Sequence, residues 1–114
     1  MSNPSMGGVY AITNTRNRRR YIGSSGNPTE RMAHHRRQLQ AGQHHCPTLQ
    51  DDWLELGPDA FTFHLLSPAS DPRELEQLLI VQHLRGDWPL YNQRSAKHVN
   101  VTTDTDFLAA IDSL

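Results

Sequence analysis

Two short segments each carry a tyrosine beside glycine and β-branched residues: Gly8-Val9-Tyr10 and, after ten intervening residues, Tyr21-Ile22-Gly23. A strand tyrosine ordinarily lays its ring over a core. Two phenols brought together with arginine, histidine and a carboxylate are instead equipped for proton transfer at a charged centre. Residues of those types follow. Arg31 and His35 are four apart and share a face of any helix that holds them. Glu76 falls just inside the start of a later helix, where the dipole favours an ionised carboxylate, the ligand a hard divalent cation takes.

The elements that must position these groups are readable in order. Val9, Ala11 and Thr13 alternate with Tyr10, Ile12 and Asn14, and residues 19–23 make a second strand, with a hairpin around Asn14 to Arg18. A register pairing Tyr10 with Tyr21, and Asn14 with Asn17, sets the phenols face to face; a one-residue slip puts them on opposite faces. Asn27-Pro28-Thr29-Glu30 reads as an N-cap with proline at the first helical position, predicting a helix from Pro28 to about Ala41 stopped by Gly42. Thr48 to Leu56 reads as a second helix with Leu49, Trp53 and Leu56 on one stripe, and Ala60 to Leu66 as a third strand. Asp71-Pro72-Arg73-Glu74 opens a last helix to about Arg85, its apolar stripe placed at Leu75, Leu78, Leu79 and Gln82, with Glu76, Ile80 and His83 beside it. Residues 1–7 read as a loose polar leader.

At 114 residues the chain fits one domain, expected over 1–94 with its core at about 7–92, followed by an acidic tail, 95–114, read as ending in a short amphipathic helix. A mean hydropathy of -0.66, with no long apolar run and no signal-peptide pattern, predicts a cytoplasmic protein that does not enter a membrane. The single cysteine, Cys46, excludes an internal disulfide. His44-His45-Cys46 is not read as a zinc site, because adjacent residues do not converge easily on one tetrahedral ion.

The net charge of -1 conceals a division along the chain. Residues 1–45 hold seven arginines (16, 18, 19, 20, 31, 36 and 37) against Glu30, a balance of +6, and the remainder carries four basic against eleven acidic residues, or -7. Arg16, Arg18, Arg19 and Arg20 in the hairpin turn, the Arg36-Arg37 pair and His44 with His45 are therefore candidates for contact with a polyanion. Contacts of that kind reach mostly phosphate and give weakly specific, salt-dependent binding.

The order of these residues resembles the GIY-YIG nuclease family. The resemblance rests on Gly8-Val9-Tyr10 (valine where the family name has isoleucine), Tyr21-Ile22-Gly23, Arg31 and His35, Glu76 with Ile80, and Asn92 after a tyrosine. Gly42 with His44, Leu49-Gln50, and Gly57 followed by Phe61 and Phe63 are similar to the phage and mobile-intron homing endonuclease branch. The resemblance implies an α+β domain, a small three-stranded antiparallel sheet flanked by helices in the order ββααβα. It also implies hydrolysis of DNA phosphodiester bonds to 5′-phosphate and 3′-hydroxyl ends with one divalent ion, Mg2+ or Mn2+. On that pattern Tyr10 is the base or proton relay, Tyr21 orients the water or a phosphate oxygen, Arg31 holds the phosphate, His35 passes or accepts a proton, Glu76 binds the metal and Asn92 braces the site. Sequence recognition then comes from the arginines or from a protein partner. A second reading is a catalytically silent nucleic-acid-binding module with the same fold.

Overall fold

The chain begins as a hairpin because two β-rich runs flank a polar turn, and the turn's chemistry fixes how they pair. Strand β1, Gly8–Asn14, and strand β2, Arg20–Ser25, are antiparallel. The Asn14 amide donates to the Arg19 carbonyl at 2.8 Å, and the Asn14 side chain accepts from the Arg16 amide at 2.9 Å, so residues 15–18 form the loop, with Arg18 in the left-handed region at φ 68°. The computed structural model describes residues 7–92. The expected boundary at residue 94, the tail and its helix, and the leader before Gly7 lie outside the described residues. Gly7 itself is buried and its carbonyl accepts from Ala69, so the loose end expected there does not extend to it.

The register differs from the expected one by two residues: Tyr10 pairs with Gly23, and Tyr21 with Ile12. Because side chains alternate with period two, a two-residue offset keeps both tyrosines on the same face but sets them diagonally. The offset gives Tyr10 room. A Cβ on Gly23 would lie 2.5 Å from Tyr10 Cζ and 2.9 Å from Cε1, so the ring lies across the glycine, a position only hydrogen can occupy.

Helix α1, Pro28–Gln40, is capped by the Asn27 side chain, which accepts from the Glu30 amide at 3.2 Å, and Gly42 follows its end at φ 73°. Helix α2, Pro47–Leu56, starts one residue earlier than expected, with proline where a missing N–H costs nothing. Strand β3, Phe61–Pro68, pairs antiparallel with β1, giving the sheet order β2-β1-β3, and helix α3 spans Pro72–Arg85. A short 3₁₀ turn, Pro58–Ala60, precedes β3.

Each face of the sheet has its own core. Ile12 and Phe61, with Leu39, Leu49, Trp53 and Tyr91, fill the α1/α2 side, where Trp53 packs 5.3 Å from Phe61. Val9, Ile22 and Leu90 receive Leu75, Leu79 and Ile80 of α3 on the other. Leu78 is 38% exposed and Gln82 is exposed. The buried side of α3 is thus rotated from the expected stripe, because Glu76, Ile80 and His83 face Ser24, Ile22 and Arg20 of β2 in turn. Val81 is buried as well.

Residues 89–92 run beside the first half of β2. The Arg20 amide donates to Pro89 and the Tyr91 amide to Arg20, while the Asn92 side chain accepts from the Ile22 amide at 2.8 Å and donates to its carbonyl at 2.9 Å. Asn92 thereby stands in for one more strand residue.

Substituting Gly23→Ala is expected to cost about 1–3 kcal/mol, the usual range for forcing atoms into a filled core. Denaturant melts of the single variant and of Gly23→Ala on a Tyr10→Ala background check this: the cost should largely disappear in the second, and an equal cost in both disproves the contact.

Candidate active site

Tyr10 is almost fully buried, and its phenol oxygen lies 2.7 Å from Nε2 of His35, which α1 delivers from above the same sheet face. The rings of Tyr10 and Tyr21 flank His35 at centroid distances of 5.5 and 5.3 Å. Behind it, His35 Nδ1 is 2.7 Å from His44 Nε2, and the Tyr21 phenol pairs with His45 Nε2 at 2.9 Å. Gln50 pins this loop, accepting from the His44 amide at 2.8 Å and donating to the Leu39 carbonyl at 3.1 Å. His44, expected among the groups touching a polyanion, is instead buried within the site, because Gln50 and the start of α2 draw its loop inward.

The charged members come from two directions. Arg31, one turn before His35, is exposed and shares an open cavity of about 280 Å³ with Ser25, Asn27, Glu30, His34 and Arg37. Glu76 approaches from the opposite sheet face and accepts a hydrogen bond from the Ser24 hydroxyl. The tyrosines and the carboxylate therefore meet around the outer edge of β2, at Gly23 to Ser25. Their charges act on one another there. Burial and the neighbouring Tyr21 raise the Tyr10 phenol, Arg31 lowers it and Glu76 raises it. Tyr21 is pushed up to about 12 by burial, Cys46 and Glu76, against Arg31. Glu76 is a single half-buried carboxylate, and among the described residues no group of three or more His, Cys, Asp or Glu is arranged to hold a metal. One carboxylate suits a small hard cation that keeps most of its waters.

The hairpin-turn arginines are elsewhere. Arg20 and Ser25 mark opposite ends of β2, about 16 Å apart at ~3.3 Å per residue. Arg18 and Arg20 place their guanidinium groups 4.3 and 4.6 Å from the centre of the Trp88 ring, and Arg19 is 4.8 Å from that of Tyr91. Arg20 also donates to Thr13 at 3.1 Å and meets His83 Nε2 at 3.0 Å, so it serves the packing of β2 on α3. Arg36 lies over Phe63 at 4.5 Å, and Arg16 is exposed. Sequence reasoning passed over Ser24 and Tyr91, and gave Gln50 no site role. Ser24 was discoverable, since it alternates with Ile22 toward the helix that carries Glu76. Tyr91, which accepts from Asn14 and donates to Asp52 at 2.6 Å, has no local signal.

The family model described as the GIY-YIG catalytic domain matches residues 6–92. Two solved structures are similar at 28% identity. The catalytic domain of the homing endonuclease I-TevI aligns at a TM-score of 0.61 over 67% of this chain and 86% of its own. A glutamate-to-alanine mutant of the catalytic domain of the same intron endonuclease aligns at 0.55 over 61% and 71%. No curated protein matches the chain. The chain belongs to the GIY-YIG family, with that family's sheet and helix order, and is a nuclease acting on phosphodiester bonds. Among the described residues no helix is long and apolar enough to cross a membrane.

Burial and neighbouring histidines lower His35 to about 3 and His44 to about 4. Both folded values lie below the ordinary one near 6.5. As pH falls through about 6.5 the unfolded chain takes up protons that the folded chain refuses, so stability present at neutral pH is lost progressively toward pH 4. On the order of 2 kcal/mol per histidine should be gone by about pH 5. Thermal melts at neutral pH and at pH 5 test this, and an unchanged midpoint, or one equally pH-sensitive in a His35→Gln/His44→Gln variant, refutes it.

Proposed function

We propose that the chain is a divalent-metal-dependent DNA endonuclease that leaves 5′-phosphate and 3′-hydroxyl ends. The observation that carries this reading is the meeting of Tyr10, Tyr21 and His35 with Arg31 and Glu76 at the Gly23 to Ser25 end of β2. Cleavage needs a deprotonated water in line with the scissile bond and compensation for charge on the phosphate.

Tyr10 is the base or relay for the water's proton, and His35 is its hydrogen-bond partner. Tyr21, held by His45, orients the water or a phosphate oxygen. Arg31 is permanently charged and planar, so it grips the phosphate and meets the charge that builds there, with Arg37 beside it in the same cavity. Glu76, steadied by Ser24, would hold Mg2+ or Mn2+. Bound there, the ion supplies charge neutralisation at the phosphate and leaving oxygen. Asn92 braces the strand between Tyr21 and Gly23. Arg16, Arg18, Arg36 and Arg37 are contacts to the DNA backbone, and sequence recognition comes from these arginines or from a protein partner.

Incubation of the purified protein with supercoiled plasmid and Mg2+ tests the reading. Wild type is expected to cut, with Glu76→Ala, Arg31→Ala and Tyr10→Phe each slowed by about 100-fold or more, and with DNA binding kept in Glu76→Ala and Tyr10→Phe. Cleavage indifferent to these substitutions overturns the site, and binding without cleavage by wild type favours the silent module.

A further inference from the structure

The hydrogen bond between His35 and Tyr10 has a direction, and the residues behind His35 fix it. The backbone N–H of Cys46, the residue just before α2, can only donate, and it points at Nδ1 of His44 from 3.1 Å. That nitrogen therefore carries no proton, and the one proton of the neutral ring is on Nε2. His44 Nε2 faces His35 Nδ1 at 2.7 Å, so His35 accepts there and keeps its own proton on Nε2, 2.7 Å from the Tyr10 oxygen. Protonating either ring fully would set two N–H groups against each other, at Cys46 and His44 or at His44 and His35. Burial acts in the same sense, disfavouring the charged form of both. Among the described residues no buried side-chain nitrogen or oxygen lacks a hydrogen-bond partner, so the chain of donors is complete.

We infer that the Cys46 amide, acting through His44, sets His35 as a hydrogen-bond donor to Tyr10, making Tyr10 the proton acceptor in the reaction and His44 a positioning residue. The inference rests on the nuclease reading for its chemistry, though not for its geometry. With His35 Nε2 already protonated, the hydroxyl hydrogen of Tyr10 points away from His35 and is lost to solvent, and the resulting phenolate keeps an N–H donor. The phenolate then takes a proton from water, the water oxygen bonds to phosphorus, and the bond to the 3′ oxygen breaks, that oxygen leaving with a proton from solvent. The charged and titratable groups facing Tyr10 are Tyr21, Arg31, Glu76 and His35. Those facing His35 are Tyr10, Tyr21, Arg31, His34, His44 and His45. Of these, Arg31 and the His35 N–H favour the phenolate.

Long-range 1H–15N spectra of the full chain, with His35→Gln and His44→Gln used for assignment, read the tautomers without reference to cleavage. Both histidines should be neutral with the proton on Nε2 at neutral pH and still at about pH 5.5, well below the ordinary histidine value. A proton on Nδ1 of either ring, or an imidazolium at His35, overturns the chain of donors. In plasmid cleavage, His44→Phe should move the alkaline rise of kcat upward by about one pH unit and leave KM nearly unchanged. An unmoved pH profile overturns the catalytic role, whereas plasmid left uncut by wild type overturns the nuclease reading and leaves the tautomers to the spectra.

Discussion

The packing of the Tyr10 ring across Gly23 is the contact on which the rest of the site depends. It fixes the hairpin register, because only a residue without a side chain fits beneath the phenol. The register in turn places Tyr21 diagonally, leaving the gap between the two phenols that His35 enters from α1. It also carries the Tyr10 oxygen over the outermost strand rather than into the middle of the sheet. A residue opposite Tyr10 with a side chain would have to displace the ring, and the phenol would lose the strand edge where Arg31 and Glu76 converge.

The two faces of the sheet do different work at that edge. The α1/α2 face provides groups that hold and direct protons, and buries Tyr10, His35 and His44 in or beside its core. The α3 face provides the carboxylate, on a helix whose turns follow alternate residues of β2 from Ser24 through Ile22 to Arg20. Polar pairs at both ends and an apolar pair between them set the helix's rotation and height together. Separating the carboxylate from the buried histidines by the thickness of the sheet lets each keep the environment its chemistry needs.

Much of this was legible in the chain. The caps at Asn27 and Asp71, each followed by proline, marked two helices to within a residue, and the glycines, tyrosines, arginine, histidine and glutamate stand in the family's order. The register was not legible, since pairings two residues apart preserve every face and only the fit of Tyr10 on Gly23 distinguishes them. The rotation of α3 was missed because apolar spacing counts Leu78 as core and cannot weigh Glu76 and His83 being drawn toward the sheet by Ser24 and Arg20. The aromatic partners of the arginine turn were not legible because they lie far away in sequence, the Arg18 carbonyl accepting from Trp88 across 70 residues. His44 read as a candidate for polyanion contact, for nothing in Gln43-His44-His45 announces that Gln50 will draw it in.

The pairing of residues 89–92 with β2 also bears on when the enzyme comes to life. Tyr10, Tyr21, Arg31 and His35 leave the ribosome early, and Glu76 later, but Ile22 is not fixed from outside until Asn92 has been made. Domains generally fold as units, and long-range contacts are formed at the cost of closing the chain between them. A nascent nuclease thus holds its tyrosines on a strand still unpaired along its outer side. The contact that fixes Ile22 from outside spans 70 residues and is among the last that the described chain can form.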